Sequence, residues 1–128
     1  MRKLIPVFIA AGVLSIGMAA ALAQTAPATT AVTAKGKALV DGKGMTLYIF
    51  DRDATGKSNC NGQCAANWPA LTAAADAKTS GDWTIVTRDD GGKQWAYKGK
   101  PLYTFNKDAK PGDASGDGLN SVWHIAAP

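Results

Sequence analysis

The chain of 128 residues contains no glutamate, one histidine and two cysteines. Each scarcity narrows the chemistry. With His124 as the only imidazole and no glutamate, general acid–base catalysis near neutral pH has few groups to draw on. The spacing Cys60-x-x-x-Cys64 is neither the CxxC of thioredoxin-like redox sites nor the CxxCH of covalent haem attachment. A blue-copper set would have to be assembled from His124, Met45 and the two cysteines, whereas such sites want two histidines and a free thiolate. No stretch sustains a helical period for three turns, which excludes a helical bundle. The basic residues are scattered rather than clustered, so no nucleic-acid partner is expected.

What is present begins with an export signal. Arg2 and Lys3 precede an apolar run from Leu4 through Leu22, which closes on the small-x-small sequence Ala21-Leu22-Ala23. This is the pattern of a cleaved signal peptide over 1–23. A retained anchor is the competing reading, but no charged stop-transfer flank follows the run. No cysteine lies near the cleavage point to carry a lipid, so no stable membrane anchor is expected after cleavage, and the protein should be periplasmic or secreted. Loss of Arg2 and Lys3 leaves twelve of the fourteen basic residues against ten aspartates, a mature net charge of about +2. About 105 residues remain, enough for one small domain and too few for two independent cores.

Residues 24–36, QTAPATTAVTAKG, are small and polar, and we read them as a flexible linker before a single β domain at 37–128. From Lys37 onward, short β-branched and aromatic segments alternate with glycine-rich turns. QCAANW before Pro69 is the only stretch with the makings of a helical turn. LYIFDRD at 47–53 returns as LYTFNKD at 102–108, an offset of 55 residues. The same offset relates Gly44 to Gly99 and Trp68 to Trp123, with a slip of one residue in the loops between, where Gly56 meets Gly112 and Gly62 meets Gly118. A fixed period of this length marks a duplicated structural unit. The expected fold is all-β, a small single domain of two pseudo-repeated hairpin units, about 37–77 and 78–128, packed around one aromatic core.

Alternation along a strand puts Tyr48 with Phe50, and Tyr103 with Phe105, on one face. That face is the expected core, because the opposite one changes from Ile49 to Thr104 between copies. Asp53 and Asp108 end these strands, where a short carboxylate can accept bonds from the following backbone amides in an Asx turn. A catalytic aspartate pair is the rival reading. Trp83, Trp95 and Tyr97 depend on the turn at Lys98-Gly99-Lys100. A three-residue turn would bring Trp95 and Tyr97 to the face of Tyr103 and Phe105.

With Tyr48-x-Phe50-x-x-Asp53 and Tyr103-x-Phe105-x-x-Asp108, and with CNGQCAANWPAL, QWAYKGKPLYTF and SVWHIA around them, the chain resembles the family of secreted proteins and lipoproteins that carry a repeated Tyr-x-(Phe/Trp/Tyr)-x-x-Asp motif, the secreted repeat of unknown function. The resemblance covers most of Lys37 to Ala126. It implies no activity, and the chain departs from many members in lacking a lipobox cysteine.

In an exported protein Cys60 and Cys64 are expected to form a disulfide, which across so short a loop is worth only about 2 kcal/mol. A redox-active pair or metal ligation are the alternatives. Asp113, Ser115 and Asp117 before Gly118 match the opening of a calcium loop, but the twelfth position holds His124 rather than a bidentate glutamate. Calcium is thus the one cofactor with any motif behind it, and no cofactor is the expectation. The aromatics could instead serve as a glycan or peptide platform, although a small β domain poor in Leu and Ile fills its core with such rings. The functional expectation is a noncatalytic, exported binding or envelope-associated protein with an envelope or extracellular ligand of unstated identity. The alternative is a periplasmic redox or metal-binding electron-transfer protein using the CxxxC pair. The mature chain should begin at Gln24 without acyl modification. Intact mass of protein extracted from the envelope checks this, and a mass that includes residues 1–23 would refute it.

Overall fold

A computed structural model describes residues 26–128; the expected signal peptide over 1–23 lies outside the described residues. The elements are β1 (Thr29–Thr33), β2 (Gly36–Val40), β3 (Tyr48–Phe50), a single-turn helix α1 (Gln63–Asn67), β4 (Trp83–Thr87), β5 (Lys93–Tyr97), β6 (Lys100–Pro101), a 3₁₀ turn at Leu119–Ser121 and β7 (Trp123–Ile125). They form three small antiparallel sheets, β1–β2, β3–β7 and β4–β5–β6. The all-β duplicated architecture is as expected, and α1 stops where Pro69 follows Trp68.

The expected linker is corrected over residues 29–36. Thr29–Thr33 pairs along its whole length with β2, from Thr29 opposite Val40 to Thr33 opposite Gly36. Threonine and valine suit a strand, and pairing needs only backbone groups. The Thr33 hydroxyl closes the turn, donating to the Gly36 carbonyl at 2.7 Å and accepting from the Lys35 amide at 3.1 Å. Ala28 just before it is buried, so the folded unit starts before residue 29 rather than at 37.

The repeats do not stack as two finished halves. They exchange strands. β3 of the first repeat pairs with β7 at the end of the second, with Phe50 opposite Trp123 and Tyr48 opposite Ile125. The matching segment of the second repeat pairs back on the first: Thr104 donates its amide to the Pro69 carbonyl at 2.8 Å, and Leu71 to Leu102 at 2.9 Å. The bonds recur with the repeats interchanged: Leu71 to Leu102 is matched by the Ala126 amide to the Leu47 carbonyl at 2.8 Å, and the Asp51 amide to the Val122 carbonyl is matched by the Asn106 amide to the Asn67 carbonyl. At the centre Tyr48 and Tyr103 bond each other twice, amide to carbonyl, at 2.8 and 3.0 Å.

Two clusters result, one on each face of this central strand pair. The aromatic one holds Tyr48, Cys60, Trp68, Tyr103, Phe105 and Trp123, with Phe50 partly buried against it. Its middle is a column of four rings, Phe50–Trp123–Trp68–Phe105, with centroid spacings of 4.2, 3.7 and 4.1 Å. Tyr48 meets Trp68, and Tyr103 meets Trp123, edge-on at 5.2 Å in both cases, the geometry that ring quadrupoles favour. The opposite face, which alternation alone left as the less constant one, is buried as well: Leu47 and Leu102 are fully covered, with Ala28, Leu39 and Ala126 around them and Trp83 and Tyr97 packed alongside. Trp95 and Tyr97 belong to this side, not to that of Tyr103. The turn before β6 has two residues, Lys98 and Gly99, since Tyr97 is directly opposite Lys100, and the one-residue difference reverses the face.

Because each repeat's aromatic strand completes the other's sheet, a fragment ending at Ala77 and one starting at Thr79 should each be unstructured alone and should recover native tryptophan fluorescence and amide dispersion on mixing. A dispersed spectrum from either fragment by itself would refute the exchanged architecture.

Candidate functional site

The repeated motif is where sequence reading placed the candidate chemistry, and its polar ends are joined across the repeats. The Tyr48 hydroxyl donates to Asp108 at 2.6 Å, and the Tyr103 hydroxyl donates to Asp53 at 2.6 Å. Each tyrosine thus reaches the aspartate of the other motif. The second carboxylate oxygen closes the loop that follows: Asp53 accepts from the Asn59 amide at 2.7 Å, and Asp108 from the Ser115 amide at 3.0 Å and its hydroxyl at 2.5 Å. The loop-closing role expected of these aspartates is seen, but it spans six and seven residues rather than the two of an Asx turn.

Both phenols are fully buried, and both are pushed well above the ordinary tyrosine pKa, first by burial and then by the carboxylate each one faces. Burial also raises the Asp53 carboxyl, against the opposing pull of Tyr103, Asn59 and the Arg88 charge. A buried phenol that donates to a carboxylate is held neutral, so this arrangement fixes protons in place rather than moving them.

Around Tyr103 the arrangement extends into a buried network that sequence reading missed. Arg88 donates to the Ser58 hydroxyl at 2.9 Å, to the Gln94 side-chain carbonyl at 2.7 Å and to the Cys60 carbonyl at 2.6 Å. Ser58 lies 2.6 Å from the Tyr103 hydroxyl. The single phenolic proton goes to Asp53, so Ser58 is the donor in that contact, and the chain of donors runs from Arg88 through Ser58 and Tyr103 to Asp53. Gln94 completes it by donating to the Leu102 carbonyl at 2.7 Å. A buried guanidinium held by three hydrogen bonds, with the Asp90 carboxylate 3.6 Å from its Nε, fixes geometry. The signal was in the parity of WTIVTR: Val86 is buried and Thr87 exposed, so the next inward position is Arg88.

Cys60 and Cys64 are joined in a disulfide that closes the turn into α1, with Cys60 fully buried. At the equivalent place in the second repeat stands Gly116, where an added Cβ would lie 2.5 Å from the Trp68 ring and 3.0 Å from Phe105. Only glycine fits under that column. The candidate calcium residues do not converge. Asp113 accepts from the Ala109 and Lys110 amides, Ser115 turns to Asp108, and Asp117 accepts from the Ile125 amide. Among the described residues, no three acidic, histidine or cysteine side chains are grouped to hold a metal. His124 is half-exposed on β7 and pairs with Asp51 at 2.7 Å.

These geometries are the internal joints of a duplicated secreted domain. The chain belongs to the family described as the secreted repeat of unknown function, whose model matches it twice, over residues 29–72 and 84–127. The first match begins at β1, in keeping with the corrected boundary. Comparison with curated proteins and with solved structures found no match.

Removing the Tyr48 hydroxyl leaves the buried Asp108 short of a donor, and removing that of Tyr103 does the same to the half-buried Asp53. Tyr48→Phe and Tyr103→Phe should each lower stability by about 1–3 kcal/mol at neutral pH. Above about pH 10 the unfolded chain loses its phenolic protons while the folded chain retains them, so stability falls as pH rises, by about 1.4 kcal/mol per pH unit for each tyrosine. Urea unfolding at neutral and alkaline pH checks both, and an alkaline limb as steep in the Phe variants as in the parent would assign the loss to other groups.

Proposed function

We propose that the protein is a noncatalytic exported module that binds a component of the envelope or the extracellular surroundings. The observation that carries this reading is the destination of the motif side chains. Tyr48, Asp53, Tyr103 and Asp108 are engaged with one another inside the fold, which supports a structural motif rather than a reactive one. A nucleophile, a general base and an oxyanion donor would have to meet at an open cleft, whereas the His124–Asp51 pair is a surface contact and the Arg88 network, which takes in the carbonyl of the disulfide's Cys60, is buried with its groups bonded to one another. The family description assigns secretion and no catalytic activity. A compact, cross-braced unit with open surface loops suits recognition, since rigid scaffolds lose little freedom on binding.

Purified mature protein should cosediment with washed cell envelopes in a saturable manner, and unlabelled protein should displace a labelled tracer. Complete recovery in the supernatant, or linear uptake without saturation, would refute the binding role.

A further inference from the structure

In a duplicated fold most features that serve the architecture come in pairs, and the unpaired ones that do, the disulfide and the Arg88 network, face inward, so an outward-facing feature present in one repeat alone calls for a separate reason. One such feature is a cleft of about 160 Å³ beneath the β5–β6 turn, with Ile49, Leu102 and Ile125 as apolar walls and Tyr97, Lys98 and Lys100 along its rim. Its counterpart under the 55-residue offset would replace Ile49 with Thr104, Lys100 with Met45 and Ile125 with Ala70. That site would keep one lysine, Lys43 in the place of Lys98, and would lack both the second charge and the same apolar wall.

The backbone of the rim is singular too. Lys98 has φ of 52° and Gly99 of 83°, the left-handed pair of a two-residue hairpin turn, in which asparagine or glycine sits comfortably at the first position and lysine does not. The corresponding turn of the first repeat is built differently. The Asp41 carboxylate accepts from the Lys43 and Met45 amides, and Lys43 avoids the left-handed region. The second repeat therefore keeps a lysine at a strained position that another residue would fill at lower cost, and strain of this kind is a mark of functional sites.

The cations at the rim are not neutralised. Lys98 lies 5.2 Å from the centre of the Tyr97 ring, and among the described residues neither Lys98 nor Lys100 has a carboxylate partner. Of the nearby acids, Asp51 is engaged with His124 and Asp53 with Tyr103 and Asn59, and Asp82 meets Lys98 through its backbone carbonyl, which accepts the Lys98 amide at 2.9 Å. An apolar wall beneath two ammonium groups is complementary to an anion with a hydrophobic body. The volume suits a small one, as an aliphatic cavity of about 150 Å³ accepts benzene.

Resting on the binding role proposed above, we propose that this cleft is a site for a small organic carboxylate, its acid group on Lys98 and Lys100 and its apolar part against Ile49, Leu102 and Ile125. The test is titration of the methyl-labelled mature protein with benzoate and hexanoate, with benzyl alcohol and hexanol as neutral counterparts. The acids should shift the Ile49 and Ile125 methyls and the Tyr97 ring saturably, and the alcohols should bind about tenfold more weakly. Lys98→Asn should separate the two roles of that position, raising the melting temperature by relieving the turn while weakening benzoate binding, and Lys100→Gln should weaken binding with the melting temperature unchanged. Equal binding of acids and alcohols, no saturable shift at these residues, or a Lys98→Asn variant that binds benzoate as well as the parent would each overturn the proposal. None of these results bears on envelope cosedimentation, so the site can fail while the binding role stands.

Discussion

Tyr48 and Tyr103 exchange backbone hydrogen bonds where the two repeats meet, and each sends its hydroxyl to the aspartate that ends the other's motif. The remaining structure follows from that exchange. Setting the two motif strands side by side in opposite directions carries Phe50 onto Trp123 and Phe105 onto Trp68, which leaves the two tryptophans face to face at 3.7 Å. The same placement turns Leu47 and Leu102 together onto the far side, where they centre the aliphatic cluster. One pairing thus organises both cores. Each aspartate, held by a tyrosine from the other repeat, then has its second oxygen free to gather the loop after its own strand.

The energetics explain why a tyrosine and an aspartate suit this task better than two apolar residues. Burying a hydroxyl or a carboxylate without a partner costs several kcal/mol, and here each group is satisfied only when the opposite repeat is in register. A slip of one residue in either strand would deprive two buried phenols and the buried Asp108 of these partners and would turn the rings outward. Hydrophobic burial supplies the greater part of the driving force, and it tolerates approximate packing. The polar exchange supplies the register. Among the described residues no buried side-chain nitrogen or oxygen lacks a hydrogen-bond partner, so this specificity is obtained without an uncompensated polar group.

The duplication, the β class, the core side of Phe50 and Phe105 and the disulfide were legible in the chain because each depends on residue type or on spacing, whereas Trp68 and Trp123 were legible as equivalents and not as the middle of the ring column. What was not legible is which copy touches which. A period states that Tyr48 and Tyr103 are equivalent, and equivalence is satisfied equally by two self-contained hairpins and by two that exchange strands. The carboxylates were read as local caps for the same reason, since their partners lie 60 and 50 residues away. The residues around 29–36 were misjudged on composition, which gauges a segment's capacity to bury apolar area and is silent on whether a neighbouring strand offers it a ladder of backbone groups. The face of Trp95 and Tyr97 turned on one residue of loop length. Arg88 was visible in strand parity, but an arginine at an inward position is ordinarily discounted, because burial of that charge requires acceptors that no local pattern reveals.

Duplication also bears on where function can reside. The intertwined repeats tie the paired positions to one another, so that a change at Tyr48, Phe50, Trp68 or Asp53 disturbs contacts made by the other copy. Such positions have little freedom to acquire new chemistry. Positions where the copies have diverged are under no such tie. Cys60 opposite Gly116 shows one kind of divergence, in which a covalent link closes one loop while its counterpart lets the ring column pass close to the backbone. The Arg88 network, beside Ser58 in one repeat where the other has Ala114, shows a second kind. Both of these act inward. The turn at Lys98 differs in kind, because its divergence faces outward and leaves charge unpaired above an apolar wall. With the motif engaged internally, recognition of another molecule falls to such unequal surface, and the proposed site at the β5–β6 turn is one part of it.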